Sequence, residues 1–416
     1  MMKTIPKLII FIATLALFSC NKDLDVPIPS AGPNSIMKET QPLSPASKLL
    51  MEGVYQVTEG ADFFGDNLVV KWNRTGLSFA CSNGKYVVLQ VGHLDSVIFL
   101  QGYWRNGYSD GTGLASMYIA REEGGTTIMT GNGNQTIVMR GAYGVQDGLP
   151  SQQLVIEYQR PFSDVVKNDN FYILAHRGGG RTSDLLPVSE NTIQMIAFTE
   201  RLCSTGIEID VRLSADGIPF IYHDPDINIR LTQKCPLAGP IENFTYAQLL
   251  TFVRLIHGEQ IPTLESALNF VVDSTQLRFV YLDMKGVVGT MAKVIPIQQK
   301  ILDRAKQKGR DLIVVVGIPS TDVLNDLMTY PGYKDIPSLC ELTVDDVRTV
   351  NSMVWAPRWT LGTQNDLVQQ MHNEGRLAVC WTIDQAQWIK DYINNGNFDG
   401  LLTNYPYIVA YYHYIQ

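Results

Sequence analysis

Four short motifs in this chain carry side chains suited to acid-base and cation chemistry. They are Ala175-His176-Arg177-Gly178, Glu208-Ile209-Asp210, His223-Asp224 and Asp283-Met284-Lys285, with Glu190-Asn191-Thr192 between the first two. Each closes or follows a strand-like run. Residues two apart on a strand face the same way, so Glu208 and Asp210 point together, as do Asp283 and Lys285. Carboxylates pressed together repel and drive one pKa upward, so the pair makes sense around a divalent ion. Oxygen donors of this kind suit Ca²⁺ or Mg²⁺ rather than Zn²⁺. Imidazole exchanges protons near neutral pH, so one of His176 and His223 can activate an attacking hydroxyl while the other protonates a leaving alcohol. Arg177 and Lys285 can grip nonbridging phosphate oxygens and offset charge in the transition state. This is the equipment for holding a cation and cleaving a phosphodiester. Asp224 is placed either to orient His223 or to form the turn before Pro225. The other four histidines, His93, His257, His372 and His413, have no such surroundings.

The elements that must position these groups alternate from Phe171 onward. Strand-like runs fall at 172–176, 206–211, 219–223, 279–284, 312–317, 337–342, 377–382 and 399–403. Helical periodicity appears at 192–202, 246–254, 264–272, 291–308, 322–330, 344–350 and 364–374. Such alternation argues for a parallel sheet with covering helices. The run 352–359 makes one strand too many for a barrel of eight and is expected as a loop at the rim.

The motifs above, with Trp381-Thr382 after a late strand and the closing Asp399-Gly400-Leu401-Leu402-Thr403-Asn404-Tyr405-Pro406, resemble the bacterial glycerophosphodiester phosphodiesterases. The resemblance runs from about Phe171 to Tyr407. It implies an α/β fold, a (β/α)8 TIM-like barrel over 170–416, with the site at the carboxyl ends of the strands. It implies metal-dependent hydrolysis of glycerophosphodiesters to glycerol 3-phosphate and an alcohol, with His176 and His223 as acid and base and Glu208, Asp210 and Asp283 as metal ligands. Arg177, Lys285 and Trp381 would contact phosphate or substrate, and Glu190 would support the site or simply place an acid at a helix start. The chain departs from the pattern in three places. Asp283 stands where glutamate is usual, Ser189 where proline is, and Asn404 where aspartate is, which weakens any polar role expected of Asn404. The polar segment 178–188 is long enough to shape headgroup selection. Related readings are a phosphatidylinositol-specific phospholipase C-like or sphingomyelinase D-like phospholipase. A different class of answer is an inactive lipoprotein that binds a ligand through its N-terminal domain.

That domain, 48–165, reads as all-β. Strand-like runs at 67–72, 85–91, 97–104, 114–120, 126–130, 136–140 and 153–158 are separated by Gly- and Asn-rich turns, giving a smaller barrel or sandwich that must cover its edges. From Gly53-Val54-Tyr55 it is faintly similar to lipocalins. Trp72, Tyr103, Trp104 and Tyr118 either line a ligand site or pack as core. Ahead of it, Lys3 and Lys7, the apolar run 8–18 and Ser19-Cys20 read as an export signal over 1–20. Leu17-Phe18-Ser19-Cys20 resembles a lipobox, implying lipidation of Cys20. Residues 21–47, rich in Pro and Ser, are expected as a flexible tether. A membrane-anchored lipoprotein outside the cytoplasm follows, with the acidic stretch 21–25 pointing to the outer membrane of a Gram-negative cell. A net charge of -8 argues against nucleic acid as a partner. The remaining five cysteines lack metal-type spacing and are expected mostly as small buried hydrophobes, with Cys203 and Cys235 the pair that could bridge.

Overall fold

Short strands with hairpin turns close on themselves in the N-terminal half. In the computed structural model, which describes residues 35–74, 76–132, 136–146, 148–286 and 288–416, they are β1 (Gly53–Glu59), β2 (Asn67–Trp72), β3 (Leu77–Cys81), β4 (Lys85–Leu94), β5 (Val97–Asn106), β6 (Thr112–Ile119), β7 (Val138–Tyr143) and β8 (Gln152–Arg160). Each pairs antiparallel with the next and β1 pairs with β8, so the barrel alternative holds and no edge is left open. Tyr55, Leu68, Val70, Leu77, Phe79, Leu89, Leu100 and Ile156 fill its interior with no exposure. Phe63 and Phe64, from the helix Ala61–Phe64, pack against Trp104 and Tyr143 with ring centroids 4.7 to 6.3 Å apart. The run 126–130 is not a strand but the helix Gly125–Thr130, set off by left-handed Gly124 and Gly131 at φ +104° and +70° and held by buried Ile128.

The expected signal segment 1–20, with Cys20, and residues 21–34 lie outside the described residues. The rest of the expected tether is docked rather than free. Gln41 bridges to His93 on β4, and Leu43 and Ser47 are buried. Trp72, Tyr103, Trp104 and Tyr118 do not share a site. Trp104 is core, Trp72 is half-buried beside it, Tyr103 faces the second barrel and Tyr118 is exposed.

The second half is a closed parallel barrel. Its strands are β9 (Tyr172–Ala175) and β10 (Gly206–Leu213), then, past a hairpin partner β11 (Pro219–Ile221) and a two-stranded flap of β12 (Asp226–Ile227) and β13 (Gly239–Pro240), β14 (Phe279–Met284), β15 (Ile313–Ile318), β16 (Ser338–Cys340), β17 (Val354–Trp355), β18 (Leu377–Cys380) and β19 (Gly400–Thr403). β19 pairs with β9, and β9 with β10, completing eight staves. The surplus run is thus identified. The 219–223 segment folds back antiparallel on β10 and is no stave, whereas Val354–Trp355 is one. Inward residues such as Leu174, Phe279, Val315, Leu339 and Val354 form one buried layer, and outward Ile173, Ile207, Val280 and Val316 lie under the helices. Burial on both faces is why these strands read as continuous apolar runs.

The helix Pro406–Tyr414 joins the barrels. Tyr407, Ile408, Val409 and Ala410 are buried, in one core with outward Val69, Ala80, Tyr86, Val88 and Tyr103 of the antiparallel barrel. The Tyr86 and Tyr407 ring centroids are 4.7 Å apart. A helix enclosed from both sides must be apolar all round. Cys81, Cys203, Cys235, Cys340 and Cys380 are all free, so the Cys203–Cys235 bridge is not formed, and all but Cys235 are buried. Among the described residues no helix is long and apolar enough to cross a membrane.

Candidate active site

The catalytic-type side chains converge at the carboxyl ends of the parallel strands because register brings them there. Asp210 on β10 lies directly opposite Asp283 on β14, and Glu208 shares the face of Asp210. One donor oxygen from each of Glu208, Asp210 and Asp283 lies within 4.8 Å of the others. Glu208 Oε1 and Asp283 Oδ1 are buried without a hydrogen-bond partner. Lys285 Nζ is 3.0 Å from Asp210 Oδ1 and also contacts Asp283. One ammonium does not neutralise three carboxylates. Burial, then the charges of Asp210 and Asp283, push the Glu208 carboxyl well above its usual range. At Asp210 burial is the largest single effect and acts upward, but Lys285, His223, His176 and Arg177 together outweigh it and the group falls to about 2. A buried, all-oxygen donor set with unsatisfied lone pairs and a surplus of negative charge fits a hard divalent cation.

His176 follows β9, and its ring is held from behind. The Asp384 carboxylate accepts from Asn404 N at 2.8 Å and from Asn404 Nδ2 at 2.7 Å. A carboxylate only accepts, so this fixes the Asn404 amide with Oδ1 facing His176 Nδ1 at 2.8 Å. Nδ1 therefore carries the proton and Nε2, 3.8 Å from Glu208 Oε2, keeps its lone pair. Burial, reinforced by the Arg177 charge, pulls His176 down to about 3. His223 has the same tautomer by different means. Asp224 Oδ1 accepts from Nδ1 at 2.7 Å, and Arg177, which can only donate, approaches Nε2 at 2.8 Å. At Asp224 the upward effect of burial is overcome by hydrogen bonds from Arg230, His223 and Asn228, which hold it well below its usual range. Arg212 anchors the His223 carbonyl at 2.8 Å.

Arg177 ties the two halves together. Its backbone is left-handed at φ +54°, a conformation costing about 1–2 kcal/mol for a residue with a Cβ. That turn lets its N–H donate to Glu208 Oε2 at 2.7 Å while the guanidinium donates to Glu190 Oε1 at 2.7 Å. Glu190 is buried and also accepts from Thr182 N at 2.7 Å, so it orients Arg177 rather than reaching the cavity. Asn191, likewise left-handed, donates to Asp210 Oδ2 at 2.6 Å.

Of these groups, His176, Glu208, His223, Asp283 and Lys285 line one wall of a cavity of about 530 Å³, and Arg177, Glu190, Asn191 and Asp210 stand behind that lining. The other wall carries Tyr281, Glu341, Arg358, Leu361, Trp381 and Thr382. Trp381 lines the cavity and packs, partly buried, against the inner layer of the barrel. Its Nε1 donates to Ala356 O at 2.8 Å, and the Arg358 guanidinium lies 4.9 Å from its ring centroid. Glu341 accepts from the Tyr281 hydroxyl, and burial raises it to about 7. Asn404 corrects the sequence reading, since it is the polar partner of His176. Asp384 and Glu341 were not foreseen. Asp384 lies only two residues beyond Thr382, but nothing in its local pattern marks it, and Glu341 is one acid among many at a strand end.

Comparison with protein-family models matches residues 176–408 to the glycerophosphoryl diester phosphodiesterase family. Among curated proteins, a glycerophosphodiester phosphodiesterase of Caldanaerobacter subterraneus is 25% identical over 245 residues, covering 56% of this chain and 94% of its own. One from Bacillus altitudinis is 24% identical over 250 residues, again covering 56% and 94%. A glycerophosphodiester phosphodiesterase structure from Parabacteroides distasonis is 21% identical with a TM-score of 0.47, covering 58% of this chain and 96% of its own.

Proposed function

The chain belongs to the glycerophosphoryl diester phosphodiesterase family and hydrolyses glycerophosphodiesters, and we propose that it does so by a two-histidine mechanism assisted by a divalent cation. The observation that carries this is the convergence of both imidazoles, each with Nδ1 held, on the cavity lined by Glu208 and Asp283. His176, kept neutral with Nε2 free, takes the proton of the attacking water, whose oxygen bonds to phosphorus as the bond to the leaving alcohol breaks. When Arg177 swings from His223 Nε2 to the nonbridging oxygens, Nε2 takes up a proton while Nδ1–H stays held by Asp224, and His223 gives that Nε2 proton to the leaving alcohol, so glycerol 3-phosphate and the alcohol are released. Arg177 and Lys285 bind the nonbridging oxygens. Glu208, Asp210 and Asp283 would hold Ca²⁺ or Mg²⁺, which would supply Lewis acidity at the phosphoryl group. Deacylated glycerophospholipids assayed beside intact lipids test the substrate class. Cleavage of the deacylated compounds is expected, and cleavage of intact lipid alone would favour the phospholipase readings.

We further propose that the protein works outside the cytoplasm, tethered through a lipid on Cys20. The support is the apolar run 8–18 ending at Ser19-Cys20, followed by a Pro-rich stretch. Cys20→Ala is expected to leave the protein unprocessed or released, with turnover of a soluble substrate unchanged. Mature Cys20→Ala protein still fractionating tightly with membranes would refute the anchor.

A further inference from the structure

The family match begins at residue 176, so the antiparallel barrel lies outside it. Yet one hairpin of that barrel reaches the mouth of the other. The turn between β5 and β6 carries Tyr108, a half-exposed aromatic whose hydroxyl donates to the Asp384 carbonyl at 3.4 Å. Its ring meets that of Tyr405 edge-on at 4.9 Å. The hairpin comes this close only because residue 107 is glycine. A Cβ there would stand 1.4 Å from the Tyr407 hydroxyl.

Both residues that Tyr108 touches flank the support of His176. The Asp384 side chain holds Asn404 through two hydrogen bonds, and Asn404 fixes the His176 tautomer. Tyr405 is the next residue in the chain, and its hydroxyl is held by Asp184 at 3.1 Å and Arg181 at 3.2 Å. Asp384 lies in the loop between β18 and the helix Ala386–Asn395, so its carboxylate stays in place only as well as its backbone does.

We infer that Tyr108 is a positioning residue for the proposed reaction, bracing Asp384 and Tyr405 so that Asn404 holds His176 with its proton on Nδ1. The antiparallel barrel is then part of the catalytic apparatus rather than an appendage. The inference rests on the proposed role of His176, and it commits Tyr108 to acting through Asp384 and Asn404. Loosening such a brace costs orientation of a catalytic group and leaves binding contacts in place, so kcat falls and KM does not.

Tyr108→Ala is expected to lower kcat for a glycerophosphodiester about tenfold with KM within about twofold. Tyr108→Phe, which keeps the ring, should lose about threefold. Tyr118→Ala, at an exposed site on β6, should lose nothing. In an Asp384→Asn background Tyr108→Ala should cost little more, because residues acting in one chain of contacts are not additive. Imidazole nitrogen NMR of His176 should show Nδ1–H in the wild type and mixed tautomers in Tyr108→Ala. Equal fractional losses in both backgrounds, or an unchanged kcat with an unchanged tautomer, would overturn the inference. A wild-type protein without turnover would instead sink the reaction, and the tautomer spectrum would still decide the role of Tyr108.

Discussion

The molecule contains two eight-stranded closed barrels, and the contrast between them shows where chemistry can be placed. In the antiparallel barrel successive strands run in opposite directions, so their ends are divided between two rims, and the interior is plugged with Tyr, Phe and Leu side chains. The parallel barrel is just as full inside, but every strand ends at the same rim and is followed by a loop. Charged groups can gather there at the edge of the dry layer, as Glu208, Asp210, Asp283 and Lys285 do, without disrupting the core. Closure supplies stability in both, and only parallel closure supplies a common rim.

The largest effect that would test this contrast is on turnover. His176→Ala and His223→Ala are each expected to lower kcat by about 10²–10⁴ while the thermal transition is kept, since each removes one proton transfer. A wild-type rate in either would place the chemistry elsewhere. In the antiparallel barrel the expectation reverses. Leu154→Ala, at a fully buried interior position, should cost about 2–5 kcal/mol in denaturant unfolding with kcat of the folded protein unchanged. A matching loss of kcat would mean that the interior of that barrel, and not just its hairpin, supports the site.

A smaller effect comes from the seam. His413 is buried against Phe171, its ring centroid 4.6 Å away, and burial with the Lys71 charge lowers it to about 4. The fold accepts only the neutral ring. From about pH 6.5 downward the unfolded chain takes up a proton that the folded chain refuses until about pH 4. Stability present above pH 6.5 is therefore lost as the pH falls to about 4, by roughly 3 kcal/mol from this group. His413→Phe should flatten that part of the pH profile of the urea midpoint. Identical slopes in both proteins would remove His413 from the account.

How much was legible in the sequence follows the same contrast. The motifs of the site were readable because they are local, a few residues at the end of each apolar run. Asn404 and Asp384 were not, because their roles depend on β18 and β19 lying side by side. Strand β3 escaped notice because burial on both faces, one inside its barrel and one against the other, erases the alternation that marks a strand. The helix Pro406–Tyr414 was hidden for the same reason. The surplus stave was misassigned because Pro219–Ile221 and Val354–Trp355 are both short and apolar, and only pairing direction distinguishes them.

On the proposed function, the rim of the parallel barrel hydrolyses glycerophosphodiesters with the help of a cation that Glu208, Asp210 and Asp283 would hold. Phosphorus NMR of glycerophosphoethanolamine incubated with the purified protein tests it most directly, with Ca²⁺ or Mg²⁺ present and again after chelation. Conversion to glycerol 3-phosphate that stops on chelation, and is absent in Glu208→Gln, is the predicted result. No conversion with either ion, or conversion indifferent to both chelation and Glu208→Gln, would contradict the account.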